Sequence, residues 1–121
     1  MTNRKTLKQQ YLETKTRAGV YAIRNQITGR ALVAGSTNAQ GTLNRHRFEL
    51  QHGLHRNASL AQDWVAHGEI NFHFDVLDMV KPSEDPAFNA AQELDMLVSL
   101  WRQEIPCVGE LGYDEPRSQP R

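Results

Sequence analysis

Polar and apolar positions alternate in two stretches of the chain. In residues 19–36, two β-prone runs at 20–25 and 30–35 flank a turn at 26–29. Val20, Ala22 and Leu32 alternate with Tyr21, Ile23 and Arg24, a rough period of two that predicts a hairpin. Gly29 offers the positive φ that a short hairpin turn needs. Residues 70–79 give the clearest strand, with Ile70, Phe72, Phe74 and Val76 alternating with Asn71, His73 and Asp75. A hairpin alone is unstable in water. The third strand is therefore expected beside it, with the rest of the chain covering one face.

The other periodic stretches repeat at helical spacing. Leu7, Tyr11 and Leu12 form a thin apolar stripe over residues 3–17, and Lys5, Lys8 and Lys15 make the other side basic. Asn38 is a fair N-cap for a helix over Ala39–Gln51, with Ala39, Leu43, Arg47 and Leu50 on one stripe. Thr42 and His46, four apart, share another face of it. Gly53 closes that helix, and Asn57 caps a shorter one over Ala58–His67, with Leu60, Ala61, Trp64 and Val65 directed inward. A long helix is expected from Asp85-Pro86 to about Glu104, with Leu94, Val98 and Trp101 on its stripe and Pro106 ending it. The sum is an α+β domain: a small three-stranded antiparallel sheet flanked by helices. Residues 1–16 read as a basic N-terminal helix, 17–114 as the domain, and 115–121 as a disordered tail.

Composition narrows the function classes. The 121 residues carry a single cysteine, Cys107, which excludes an internal disulfide and a cysteine zinc site. No apolar run approaches the ~20 residues that span a bilayer, and there is no signal-peptide pattern, so a soluble cytoplasmic protein without membrane contact is expected. The net charge of zero hides an asymmetry. Residues 1–56 carry ten Lys or Arg against two acids, Glu13 and Glu49, whereas the remainder carries four against twelve. A basic first half implies a polyanionic partner, unless the two halves complement each other within one fold. The five histidines invite a metal-site reading. His52 and His55 flank Gly53, where the helix ends, and surface histidines need no ligand. That reading is not adopted.

The ordered set of motifs resembles the GIY-YIG nuclease superfamily, in particular its small stand-alone bacterial members. Gly19-Val20-Tyr21 stands where those proteins have Gly-Ile-Tyr, and Val33-Ala34-Gly35 stands where they have Tyr-Ile-Gly. Residues 44–50, then Gly53-Leu54-His55-Arg56-Asn57, Trp64 and Gly68-Glu69 before a Phe-x-Phe strand, follow in the same order. The resemblance implies a three-stranded antiparallel sheet with flanking helices and a phosphodiester-hydrolysing site. That site has a tyrosine acting in water activation, an arginine on the phosphate, and a glutamate holding one divalent metal, Mg²⁺ or Mn²⁺.

Residue by residue, Tyr21 matches the first tyrosine and His46 a histidine one helical turn beyond the arginine. The second tyrosine is replaced by Val33, the arginine by Thr42, the metal glutamate by Val98, and the asparagine after the final Tyr113 by Asp114. Asp95, three residues before Val98 and on nearly the same helix face, is the best replacement metal ligand, though its shorter side chain requires the metal to move. Tyr21 and His46 are thus the candidate catalytic pair. Arg24, Arg30, Arg45, Arg47 and Arg56 are the candidate nucleic-acid contacts, and Asp95 is the candidate metal ligand. Two functions fit: a metal-dependent endonuclease with a rearranged site, or a catalytically inactive module of the same fold that binds nucleic acid or a small ligand. A different chemistry on the same scaffold is a third. Either of the first two requires the Tyr21 hydroxyl and the His46 imidazole to meet over one hollow.

Overall fold

The computed structural model describes residues 17–81 and 83–113. The expected N-terminal helix and the expected disordered tail, with Asp114, lie outside the described residues. β1 (Gly19–Asn25) and β2 (Ala31–Ser36) form the hairpin, and β3 (Phe72–Met79) pairs with β1 on its other side. The sheet is antiparallel throughout, in the order β2-β1-β3. The turn is closed by the Asn25 and Gly29 backbone N–H groups donating to Arg30 and Asn25 carbonyls, each at 2.9 Å. Gly29 sits at φ 78°, where a Cβ is disfavoured.

Three helices cover the sheet: α1 (Ala39–Gln51), α2 (Ala58–His67) and α3 (Ala90–Glu104). The expectation of one covered face is corrected to two. Tyr21 and Ile23 point from β1 to Leu43 and Leu50 of α1 and Leu60 of α2. Val20 and Ala22 point the opposite way, to Leu94, Val98 and Trp101 of α3. A central strand buried on both sides loses the polar half of its alternation, which explains the blurred period in residues 20–25.

Local chemistry moves two element boundaries and one side chain. A 3₁₀ turn at Glu69–Asn71 takes the first two residues expected in β3, and Ile70 is left 88 % exposed. Asp85 does not start α3. Its carboxylate accepts from the Ala87 N–H at 2.9 Å and closes a single turn. Asn89 then caps the helix by accepting from the Gln92 N–H at 3.1 Å. Val65, expected to face inward, is 84 % exposed on the outer side of α2.

Part of the charge asymmetry is spent within the fold. Arg24–Asp75, Arg30–Asp63 and Arg47–Glu69 each join the basic first half to the acidic second half. No helix among the described residues is long and apolar enough to cross a membrane.

Candidate nucleic-acid site at the α1 C-terminus

Tyr21 and His46 share one site. β1 carries the tyrosine to the sheet face that α1 covers, and the Tyr21 Oη lies 3.0 Å from His46 Nε2. Tyr21 is only 5 % exposed, so its hydroxyl stands behind the imidazole. His46 Nδ1 faces His55 Nε2 at 2.7 Å, with the two rings stacked 4.9 Å apart. His55 reaches it because Gly53, at φ 70°, turns the chain back along the end of α1. The Asn57 backbone N–H then donates to His55 Nδ1 at 3.0 Å.

The direction of this chain of hydrogen bonds follows from its one fixed donor. A backbone N–H can only donate, so His55 Nδ1 accepts and the neutral ring carries its proton on Nε2. That proton points at His46 Nδ1, so His46 in turn carries its proton on Nε2 and donates to the Tyr21 oxygen. The tyrosine's own proton is left free for a further acceptor. Neutrality is secured electrostatically. Burial, then the neighbouring His55 and Arg45, hold His46 down to about 4, against a smaller upward pull from Glu49. His55 is also lowered, chiefly by burial. Burial raises Tyr21, with Arg45 opposing, so the hydroxyl is a phenol at neutral pH.

The cleft in front of the pair is lined by Leu32, Arg45, His46, Glu49, His55, Arg56 and Asn57. Of the five candidate nucleic-acid contacts, Arg45 and Arg56 are therefore beside the pair. The other three are engaged elsewhere. Arg24 pairs with Asp75 at 3.3 Å, and Arg47 lies over the Phe74 ring with Glu69 at 3.8 Å. Arg30 donates to the Gly112 carbonyl and to Asp63 while stacking 4.3 Å over the Tyr113 ring. It fastens the C-terminal segment to the sheet.

Tyr113 is held in the same cluster, donating to Asp63 at 2.7 Å and accepting from Asn25 at 3.0 Å. Burial, reinforced by the bond to Asp63, pushes its phenol up to about 12. A folded pKa above the unfolded value stabilises the neutral form. That stability is complete below about pH 10 and is lost as pH rises through about 12. Ultraviolet difference titration should show Tyr113 ionising last, together with alkaline unfolding. Tyr113→Phe should flatten the pH dependence of stability in that interval.

The carboxylate expected for a metal is not near the pair. Val98 is a half-buried residue packed against Gly35: a Cβ built on that glycine would lie 2.5 Å from Val98 Cγ2. Asp95 is exposed on the outer side of α3, beside Gln92, Met96, Ser99 and Leu100. Val33 is buried on the same side of the sheet as Val98, and Thr42 shares a 2.6 Å hydrogen bond with Ser36. All three replaced positions serve packing or local structure, and their residues do not fit the metal-bearing arrangement that the resemblance implies.

Histidine and carboxylate ligand atoms instead gather at the cleft, where His46, Glu49 and His55 each offer one within 4.8 Å of the others. The sequence reading missed Glu49 and His55. The available signal was His46 and Glu49 at helical i, i+3 spacing, followed by a glycine able to reverse the chain before the next histidine.

No family model and no curated protein matches the chain. Solved structures do. The catalytic domain of the homing endonuclease I-TevI superposes with a TM-score of 0.60 at 21 % identity, covering 79 % of this chain and 95 % of that one. A point variant of the same intron endonuclease domain gives 0.60 at 20 % identity, over 80 % and 91 %. The chain has the GIY-YIG nuclease fold. Within that fold, the Tyr21–His46 pair lies where β1 meets α1.

Proposed function

We propose that this GIY-YIG-fold protein acts on nucleic acid at the Tyr21–His46–His55 cleft, hydrolysing a phosphodiester with an atypical site. The observation that carries the reading is the directed chain from the Asn57 N–H through both imidazoles to the Tyr21 oxygen. It leaves the phenol proton free to donate to a phosphoryl oxygen once the strand reaches past the imidazole to the buried hydroxyl, and the His46 N–H given to the same oxygen strengthens that donation. Arg45 and Arg56 supply the positive charge that a phosphate needs beside them. Tyr21 thus serves as an electrophilic donor. The resemblance casts the first tyrosine in water activation, but both nitrogens of His46 are occupied and cannot take the phenol's proton.

One observation favours a second reading, binding without cutting. Val33, Thr42 and Val98 remove a tyrosine, an arginine and a carboxylate together, and each is committed to the fold. Labelled single- and double-stranded DNA and RNA, incubated with the protein in Mg²⁺, Mn²⁺ or EDTA, separate the two. Strand breaks establish the enzyme. Salt-sensitive binding with intact strands establishes the module. No binding to any of the four overturns both.

A further inference from the structure

We propose that His46, Glu49 and His55 form a binding site for one transition-metal ion of the Zn²⁺ class, on the opposite side of the sheet from the position of the lost carboxylate. The site does not depend on the nucleic-acid reading. Two imidazoles and a carboxylate suit zinc and its neighbours, whereas Mg²⁺ prefers oxygen donors in a strict octahedron.

The backbone already supplies the arrangement. His46 and Glu49 stand one turn apart on α1, and the Gly53 turn brings His55 to within 2.7 Å of His46. His46 presents the lone pair of Nδ1 while its Nε2–H is held by the Tyr21 oxygen at 3.0 Å. That is the outer support a metal-bound imidazole requires to fix its tautomer and orientation.

Occupancy needs modest changes. Zinc–ligand bonds of ~2.0–2.2 Å place ligand atoms roughly 3.3 Å apart. The 2.7 Å histidine pair must therefore open slightly and Glu49 must close in. The proton on His55 Nε2 moves to Nδ1, and the Asn57 N–H gives up its acceptor. Two lost hydrogen bonds, between the two histidines and from Asn57 to His55, and the loosened Arg45–Glu49 pair, 4.0 Å apart, stand against three metal–ligand bonds. The remaining coordination position opens on the cleft.

The test uses the full chain stripped with EDTA and dialysed, without nucleic acid. Titration with Co²⁺ followed by visible absorption, and with Zn²⁺ by calorimetry, should show one ion bound, and Mg²⁺ should give no signal at the same concentrations. His55→Ala and Glu49→Gln should each weaken binding by at least the ~10–100-fold that loss of an outer support costs, whereas His52→Ala should leave it unchanged. If either variant fails to fold, Zn²⁺-induced shifts of the His46 and His55 ring signals in the NMR spectrum of the unaltered chain decide the matter. Absence of Co²⁺ and Zn²⁺ binding, binding indifferent to both substitutions, or unshifted ring signals would each overturn the site.

Discussion

Asp63→Ala is expected to destabilise the domain by about 3 kcal/mol, the low end of the range for breaking a buried ion pair, because the Arg30 and Asp63 side chains keep 24 % and 17 % exposure. Asp63 Oδ2 accepts from Tyr113 at 2.7 Å, Arg30 at 3.1 Å and Asn25 at 3.4 Å. Asn25 and Tyr113 are each 1 % exposed, so neither can turn to water when the acceptor goes. Arg30 loses its counter-charge while its guanidinium stays locked between the Gly112 carbonyl and the Tyr113 ring. The urea midpoint should fall with little change in slope. Asp63→Asn keeps an oxygen acceptor and should lose roughly half as much. A loss below about 1 kcal/mol for the alanine variant would show that the cluster relaxes without its carboxylate.

The effect should also reach the cleft. Asn57 accepts from the Leu60 N–H to cap α2, donates through its side chain to the Tyr113 carbonyl, and fixes His55 through its backbone N–H. Loosening Tyr113 therefore loosens the group that sets the tautomers of both histidines.

These couplings mark where sequence reading stops. The hairpin, β3 and the three described helices were legible because period two and helical stripes are local properties. The boundary at Phe72 was not, because Ile70 continues the alternation into a 3₁₀ turn. The start of α3 was misplaced because Asp85 and Asn89 are both competent caps, and only packing decides which one begins the longer helix. Tyr21 and His46 were singled out by the family resemblance, and the structure brings their side chains together. Arg30 looked like a phosphate contact because nothing in its own neighbourhood names Asp63, which lies on α2. Asp95, expected on the helix face of Val98, is exposed on the outer side of α3 while Val98 packs against Gly35, and α3 itself lies on the side of the sheet away from His46. Helical phase fixes which residues of one element are neighbours. It does not say which layer that element joins.

Tyr21→Phe isolates the chemistry from the scaffold. The ring's contacts with Leu43 and Ile23 belong to the core that phenylalanine keeps, so folding should lose only about 1 kcal/mol, for the acceptor taken from His46 Nε2–H. Cleavage, by contrast, should fall at least ~10²-fold, the usual result of deleting one donor to a developing phosphoryl charge. Binding of the strand should be nearly unchanged, since the proposed function assigns the charge that holds it to Arg45 and Arg56. Alanine at either arginine should do the reverse, weakening binding and reducing its salt dependence by about one phosphate contact. Single-turnover rates and salt-dependent binding constants on the three variants separate the two roles. If Tyr21→Phe cuts as fast as the parent chain, the hydroxyl is a fastener for His46 and the donor to phosphate must be sought among Arg45, Arg56 and the imidazoles themselves.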